Sequence, residues 1–342
     1  MKIVAGLGSI DEYERFVKAG ADEFFCGYVP FAWAEKYGMI NPLNRREVRF
    51  YNVQIGSLSE LQILKNMADY YGKPVKLTFN SLYYTKEQYP VIAEIISQCM
   101  EVGFENFIIA DPALILYLRQ KKISCGIHLS GEMSEVNRYM LEQMLPFGIR
   151  RVIFHRKNSL EDMKSCISFI RNIDRKEKSS DKLNHDYIIK QPSDPVMNCT
   201  KEYEAFVLNE LCQFSGAFCN SLHCDELTHL CRVPYELGDL CRDISHKTYI
   251  TETDKMHFDK NGYLTGSTGC GLCALYQMKQ IGITHLKLVG RGNYTDFMEK
   301  DIRQLRKALE ILENAFGEEE YQNEMRASLF PDGCSQNCYY IY

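Results

Sequence analysis

Short apolar runs alternate with amphipathic helical stretches along almost the whole chain, and that alternation limits the fold more than any other feature. Strand-like runs fall at Lys2–Gly6, Glu23–Gly27, Val75–Asn80, Asn106–Ala110, Ile123–Leu129, Arg151–His155, Glu204–Leu208 and His285–Val289. Helical stripes lie between them. Tyr13, Phe16 and Val17 share one face, as do Leu61, Leu64 and Ala68, and Ile92, Ile95, Ile96 and Cys99. Capping pairs open several of these helices: Ser9 with Glu12, Ser57 with Glu60, Thr85 with Gln88. Each matches a side chain that caps orphan amides with an acceptor three residues on. Gly20, Gly72 and Gly103 close them. Further helices are expected over Glu135–Leu145, after Ser159 with Met163, Ile167 and Ile170, and from Asp296 to Phe316.

Strand–helix alternation favours a parallel sheet, and eight units favour closure into a (β/α)8 TIM-like barrel, an α/β fold. An open dinucleotide-binding sheet is the second reading, weakened because Gly6-Leu7-Gly8 lacks the third glycine of that loop. A single domain of residues 1–316 is expected, followed by a C-terminal tail, 317–342. Two stretches interrupt the rhythm. Tyr28–Ile55, with Trp33, Arg45 and Arg46, is expected over the C-terminal rim as a lid or an oligomer contact. The charged stretch 171–195 reads as a solvated insertion.

A net charge of −5 offers no broad basic footprint, while leaving a local groove for RNA open. No apolar stretch reaches the ~20 residues of a membrane span, and none has signal-peptide form, so a cytoplasmic location is expected. In that reducing compartment the fourteen cysteines point to metal or plain burial rather than disulfides. Cys26, Cys99, Cys125 and Cys166 sit in apolar runs and read as small buried hydrophobes. Cys212, Cys219, Cys224, Cys231, Cys241, Cys270 and Cys273 crowd into 212–273, with Cys199 upstream and Cys334 and Cys338 in the tail. The spacing lacks the two tight pairs of a zinc ribbon. A zinc site drawn from Cys219, His223, Cys224 and Cys231, unmetallated thiols, and a Cys270-x-x-Cys273 redox pair all remain open.

Asn80, Asp111, His128, His155, Arg156 and Arg291 fall at or just after strand ends, where a barrel builds its site. Arg291 between two glycines suits a carboxylate or phosphate clamp, a small anionic co-substrate being the implied ligand. His128 reads as an acid–base group or a satisfied core histidine. Asp111 before Pro112 reads as a site carboxylate or an N-cap. Neither a Gly-x-Ser-x-Gly elbow nor a His-Glu-x-x-His helix is present. The tail, Phe330–Tyr342, is dense in tyrosine and is expected to pack on the barrel. A sharper expectation folds it over the mouth.

The order of motifs resembles the collagenase-like peptidase family U-32. Ala5-Gly6-Leu7-Gly8-Ser9 and Lys18-Ala19-Gly20-Ala21-Asp22 are similar to its opening unit. Thr78-Phe79-Asn80-Ser81-Leu82, Ile109-Ala110-Asp111-Pro112, Ile127-His128-Leu129-Ser130 and Arg156 with Ser159-Leu160-Glu161 resemble its next strand ends. Phe206-Val207, Leu211-Cys212, Ser215-Gly216 and Cys219 resemble its signature segment, and Leu286-Lys287-Leu288-Val289-Gly290-Arg291 its eighth strand. Lys157 stands where the family usually has an acid, and Gly131-Glu132 where it has Thr-Gln. The resemblance implies a 4Fe-4S cluster on Cys212, Cys219, Cys231 and Cys273, with Cys224, Cys241 or Cys270 as substitutes. It implies oxygen-independent hydroxylation, as in branches that modify RNA bases or the ubiquinone ring, some with prephenate as hydroxyl donor. His128, Arg291, Asp111 and Asn80 are the side chains expected to do the chemistry. Cleavage of collagen-like or small peptides is the alternative activity. A third reading is a cluster-bearing subunit completed by a partner of the same family.

Overall fold

The structure is a computed structural model and describes residues 1–38, 41–46, 53–133, 136–178, 202–212, 236–237, 248–249, 258–259 and 262–340. Eight parallel strands close on themselves: β1 Lys2–Leu7, β2 Glu23–Tyr28, β3 Val75–Phe79, β4 Asn106–Ile109, β5 Gly126–Leu129, β6 Ile149–Ile153, β7 Glu202–Leu208 and β8 His285–Leu288. Register runs Val4↔Glu23, Phe24↔Val75, Leu77↔Phe107, Phe107↔Ile127, His128↔Arg151, Arg151↔Glu202 and Leu286↔Ala205. Lys2↔His285 joins the last strand to the first. A short strand, Gln54–Ile55, adds to β2 at its C-terminal end. The expected (β/α)8 barrel is thus the observed fold.

Helices α1 Asp11–Ala19, α2 Leu58–Tyr71, α3 Gln88–Val102, α4 Pro112–Gln120, α5 Arg138–Met144, α6 Leu160–Lys178, α7 Leu275–Ile281 and α8 Thr295–Asn314 follow the strands in turn. Their apolar stripes are buried, as Leu61, Leu64 and Ala68 on α2 and Ile92, Ile96 and Cys99 on α3 show. Local chemistry sets their starts. Ser57 and Glu60 form a complete capping box. Asp111 accepts from the Ala113 amide at 2.8 Å, with Pro112 in the first turn, where its missing N–H costs nothing.

Several boundaries differ from the sequence reading, three of them for a local reason that can be named. Ser9 does not cap α1; Glu12 alone reaches back, to the Gly8 amide at 2.7 Å. The helix expected from Glu135 begins at Arg138, because Asn137 takes the Met140 amide as its cap. The strand expected from Ile123 begins at Gly126, since Lys121–Ile123 still turn back onto α4, the Ile123 amide bonding to Leu118 O. The 171–195 stretch begins inside α6, and its residues from 179 on lie outside the described ones.

The barrel interior carries charge. Arg151 on β6, 1% exposed, donates to Glu23 on β2 at 2.5 Å, to Glu202 and Glu204 on β7 at 2.7 Å each, and lies 3.0 Å from His285 on β8. Lys287 reaches Glu204 at 2.9 Å. Burial alone would raise the Glu204 carboxyl, but Lys287 and Arg151 outweigh it and hold the group at about 2. Desolvating such a cluster is expensive, and its attraction offsets that only because every carboxylate is hydrogen-bonded.

Residues 318–340 are built onto the barrel. Helix α9, Glu318–Leu329, packs through Tyr321 and Met325, and Tyr321 donates to Leu272 O at 2.8 Å. The chain then returns to the C-terminal end of β7. There Tyr340 donates to Phe206 O at 2.8 Å and Tyr339 donates to Asn209 O. Both rings are buried. Among the described residues, no helix is long and apolar enough to cross a membrane.

Candidate functional site

A cavity of about 50 Å³ opens at the C-terminal end of the barrel. At ~10–15 Å³ per water position, that is room for roughly four waters, or one small anionic group. Its walls include Arg45, Arg46, Arg156, Lys287 and Arg291, against two carboxylates, Glu132 and Glu210. Thr78, Asn80, Ser130, Phe25 and Phe206 complete the polar and aromatic lining.

Each cation is held by its element. Arg291 follows β8 and lies across the mouth, donating to Thr78 Oγ1 and to Arg46 O, both at 3.3 Å. It can lie there because β1 and β2 offer no side chain. A Cβ at Gly6 would stand 2.9 Å from Arg291 Cγ, and one at Gly27 would overlap its Nη1. Arg156 follows β6, places its guanidinium 4.3 Å from the Phe206 ring centre, and donates to Glu132 at 3.1 Å. Glu132 also faces Arg45 at 3.7 Å. Arg46 reaches Glu210 at 2.7 Å. The Arg45 amide donates to Asn80 Oδ1 at 3.2 Å, and Tyr84 holds Leu43 O at 2.7 Å. The segment 41–46 is thereby drawn over the rim, where the sequence reading put the excursion. Lys287 sits 3.6 Å from the Phe25 ring centre; burial depresses its ammonium, against Glu204, which raises it.

The strand-end residues divide. Asn80, Arg156 and Arg291 line the cavity. The register pairs His128 with Arg151 on one side and with the cavity-lining Ile108 on the other. His128 is absent from the cavity walls, and its Nδ1 finds no hydrogen-bond partner among the described residues. Burial, then Arg151, Lys76, His285 and Lys287, push its pKa well below the usual range, so it is neutral. Asp111 also lies off the cavity: its oxygens take the Ala113 amide and the Tyr89 hydroxyl, at 2.8 and 2.9 Å. His155 is buried, and its Nδ1 accepts from the Lys157 amide at 3.2 Å. Arg45, Arg46, Glu132 and Lys287 were not singled out as site residues. Arg45-Arg46 was visible as a charged pair within the excursion, whereas the inward turn of Lys287 shows only in the barrel register.

Cys26, Cys99, Cys125 and Cys166 are buried, at 0 to 2% exposure. Cys219, Cys231, Cys224, Cys241, Cys199 and His223 lie outside the described residues. The other two cysteines of the implied cluster set, Cys212 and Cys273, are among the described residues. Cys212 acts electrostatically on Arg156 at the mouth. Cys273, in the turn before α7, accepts from Arg326 of α9 at 3.4 Å. Its sulfur acts on those of Cys270 and Cys338. Among the described residues, no three His, Cys, Asp or Glu side chains stand together as a ready metal site.

The sequence matches the family model "Peptidase family U32" over residues 8–341. No curated protein matches it. Solved structures similar to the chain include a U32 peptidase, 9% identical, covering 60% of this chain and 68% of that one, TM-score 0.38. An octameric Rubisco from Pyrococcus horikoshii OT3 is 9% identical over 96% of this chain and 62% of that one, TM-score 0.47. The YdjI aldolase from Escherichia coli K12 is 8% identical over 97% and 89%, TM-score 0.37. Likenesses this slight say nothing about chemistry.

Proposed function

We propose, for a chain that belongs to peptidase family U32, that the barrel mouth is an enzyme site for a small anionic organic molecule, held through its carboxylate by Arg291. The carrying observation is the charge of the cavity: four guanidinium groups against two carboxylates in its walls, the fifth cation, Lys287, being paired with Glu204 beneath. A carboxylate there would meet planar guanidinium forks with low-dielectric surroundings, where charge-assisted bonds are strongest. The aromatic faces of Phe25 and Phe206 hold Lys287 and Arg156 from behind, so the cationic ends need not reorganise on binding. Asn80 fixes the Arg45 backbone, and with it the segment that covers the mouth.

The reaction class we assign is the oxygen-independent hydroxylation that the resemblance implies, the anion serving as co-substrate. Two observations support it over peptide cleavage. The cavity admits an anion more readily than a peptide backbone, and its two wall hydroxyls are engaged with the backbone: Thr78 donates to Cys26 O at 3.2 Å, and Ser130 accepts from the Glu132 amide at 3.2 Å. A cluster-bearing subunit completed by a family partner remains the third reading.

Calorimetric titration of the full chain with small mono- and dicarboxylates, prephenate among them, tests the assignment. Arg291→Lys keeps the charge but loses the fork, so binding should weaken roughly tenfold. Carboxylates that bind the variant as well as the wild type would overturn it. So would peptide cleavage in air that Arg291→Lys leaves unchanged.

A further inference from the structure

We propose that Asp301, on the outer helix α8, is a positioning residue of the mouth: through Asn209 it holds a two-residue left-handed turn that keeps the Glu210 carboxylate on Arg46, and so limits how tightly an anion is held there. The consequence for binding rests on the anion reading of the mouth; the geometry of the turn does not.

The turn lies just past β7, where the chain leaves the barrel. Asn209 has φ 69° and Glu210 φ 53°. Asn enters the left-handed region readily; Glu does not, because its Cβ crowds the carbonyl oxygen that follows. Two such residues in succession persist only where their surroundings fix them. The backbone of this turn is fixed at each residue. The Asn209 amide donates to Gly269 O at 2.9 Å, the Glu210 amide to Thr268 Oγ1 at 3.1 Å and the Leu211 amide to Thr268 O at 2.7 Å. The Tyr339 hydroxyl donates to Asn209 O.

The Asn209 side chain is tied to α8. Its Nδ2 donates to Asp301 Oδ2 at 2.8 Å. The Tyr263 hydroxyl stands 3.0 Å from both Asp301 Oδ2 and Asn209 Oδ1, so three side chains close a triangle. The Tyr263 ring is itself stacked on Phe297 of α8, with centroids 4.3 Å apart. Asp301 and Asn209 are fully buried, and burial raises the Asp301 carboxyl to about 6, against the hydrogen bonds that lower it. A buried carboxylate and a left-handed glutamate both cost stability. Their joint result is one placement: Glu210 in the cavity wall, with Oε1 2.7 Å from Arg46 Nη1. That pair is partly exposed, and such pairs contribute little stability of their own. The effect of the placement is electrostatic. An incoming carboxylate finds Arg46 already matched and meets a like charge beside it. Asp301 is not in the cavity wall, so its effect travels through Asn209.

Calorimetric titration of the full chain with malonate tests this, on the wild type, Glu210→Gln, Asp301→Ala and the two combined. Glu210→Gln removes the like charge, so malonate should bind roughly three- to tenfold more tightly. Asp301→Ala should tighten binding by a similar factor in the wild-type background and not at all once Glu210 is Gln, because the two act as one unit. Asp301→Asn, whose amide oxygen still accepts from Asn209 and Tyr263, should restore the wild-type affinity. Tyr263→Phe removes only the hydroxyl of the triangle; it should shift binding in the same direction, and it replaces Asp301→Ala if that variant does not fold. Affinity unchanged or lowered by Asp301→Ala, or raised equally with and without Glu210, would overturn the positioning role. If the wild type takes up no malonate, the anion reading fails instead, and crystal structures of the wild type and Asp301→Ala decide the role. The variant should show Asn209 and Glu210 outside the left-handed region and Glu210 off Arg46; an unchanged turn would overturn it.

Discussion

Arg291 occupies its position because two strands leave room for it. Gly27→Ala should therefore push the guanidinium aside, although Gly27 touches no ligand. The expected result is a carboxylate affinity lowered as far as by Arg291→Ala, with an overpacking cost of about 1–3 kcal/mol in urea titration. Unchanged binding by Gly27→Ala would show that the arginine need not lie across the mouth. Glu204 gives a second prediction. Its carboxyl is held at about 2 in the fold against an ordinary 4.5, by Lys287 and Arg151 acting against burial. A depressed carboxyl stabilises fully above pH 4.5 and loses its contribution as pH falls toward 2. That contribution is about 3 kcal/mol at neutral pH. Glu204→Gln should cost about 3–5 kcal/mol at pH 7, because it strands buried cations, and should flatten the loss of stability on acidification. Urea midpoints at pH 7 and pH 3 for both proteins check it; parallel curves would contradict it.

At the level of elements, the eight strands were legible because each is a short apolar run between turn and cap signals. The helix stripes were legible for the same reason. What the pattern could not show was pairing across the barrel. Arg151 meets Glu23 and His285 from β6 to β2 and β8, and no local periodicity records partners so distant in sequence. The tail itself is a structural element. Ending the chain at Leu329 would uncover Phe206 O and Asn209 O, both satisfied by the tail tyrosines. Losing two hydrogen bonds of about 1 kcal/mol each, and the burial of both tyrosine rings, should make the truncated protein melt several degrees lower. An unchanged melting temperature would mean that the tail only rests on the rim.

The whole molecule is a closed parallel barrel of peptidase family U32 whose lower interior is knit by buried ion pairs and whose upper end gathers cations. Those two layers have different consequences. The lower carboxylates neutralise Arg151 and Lys287 in place, whereas at the mouth four arginines stand against Glu132 and Glu210. That surplus is the property from which the anion site follows. It was only partly legible in the sequence: Arg156 and Arg291 stood out at strand ends, while Arg45, Arg46 and Lys287 join them only once the barrel closes. The most direct measurement is crystallographic. Crystals soaked in a bromine-labelled small carboxylate, with anomalous data collected at the bromine edge, would locate the anion without reference to activity. The account predicts an anomalous peak inside the cavity, with the carboxylate against Arg291. A peak only on the outer surface, with the cavity holding water alone at saturating ligand, would contradict it.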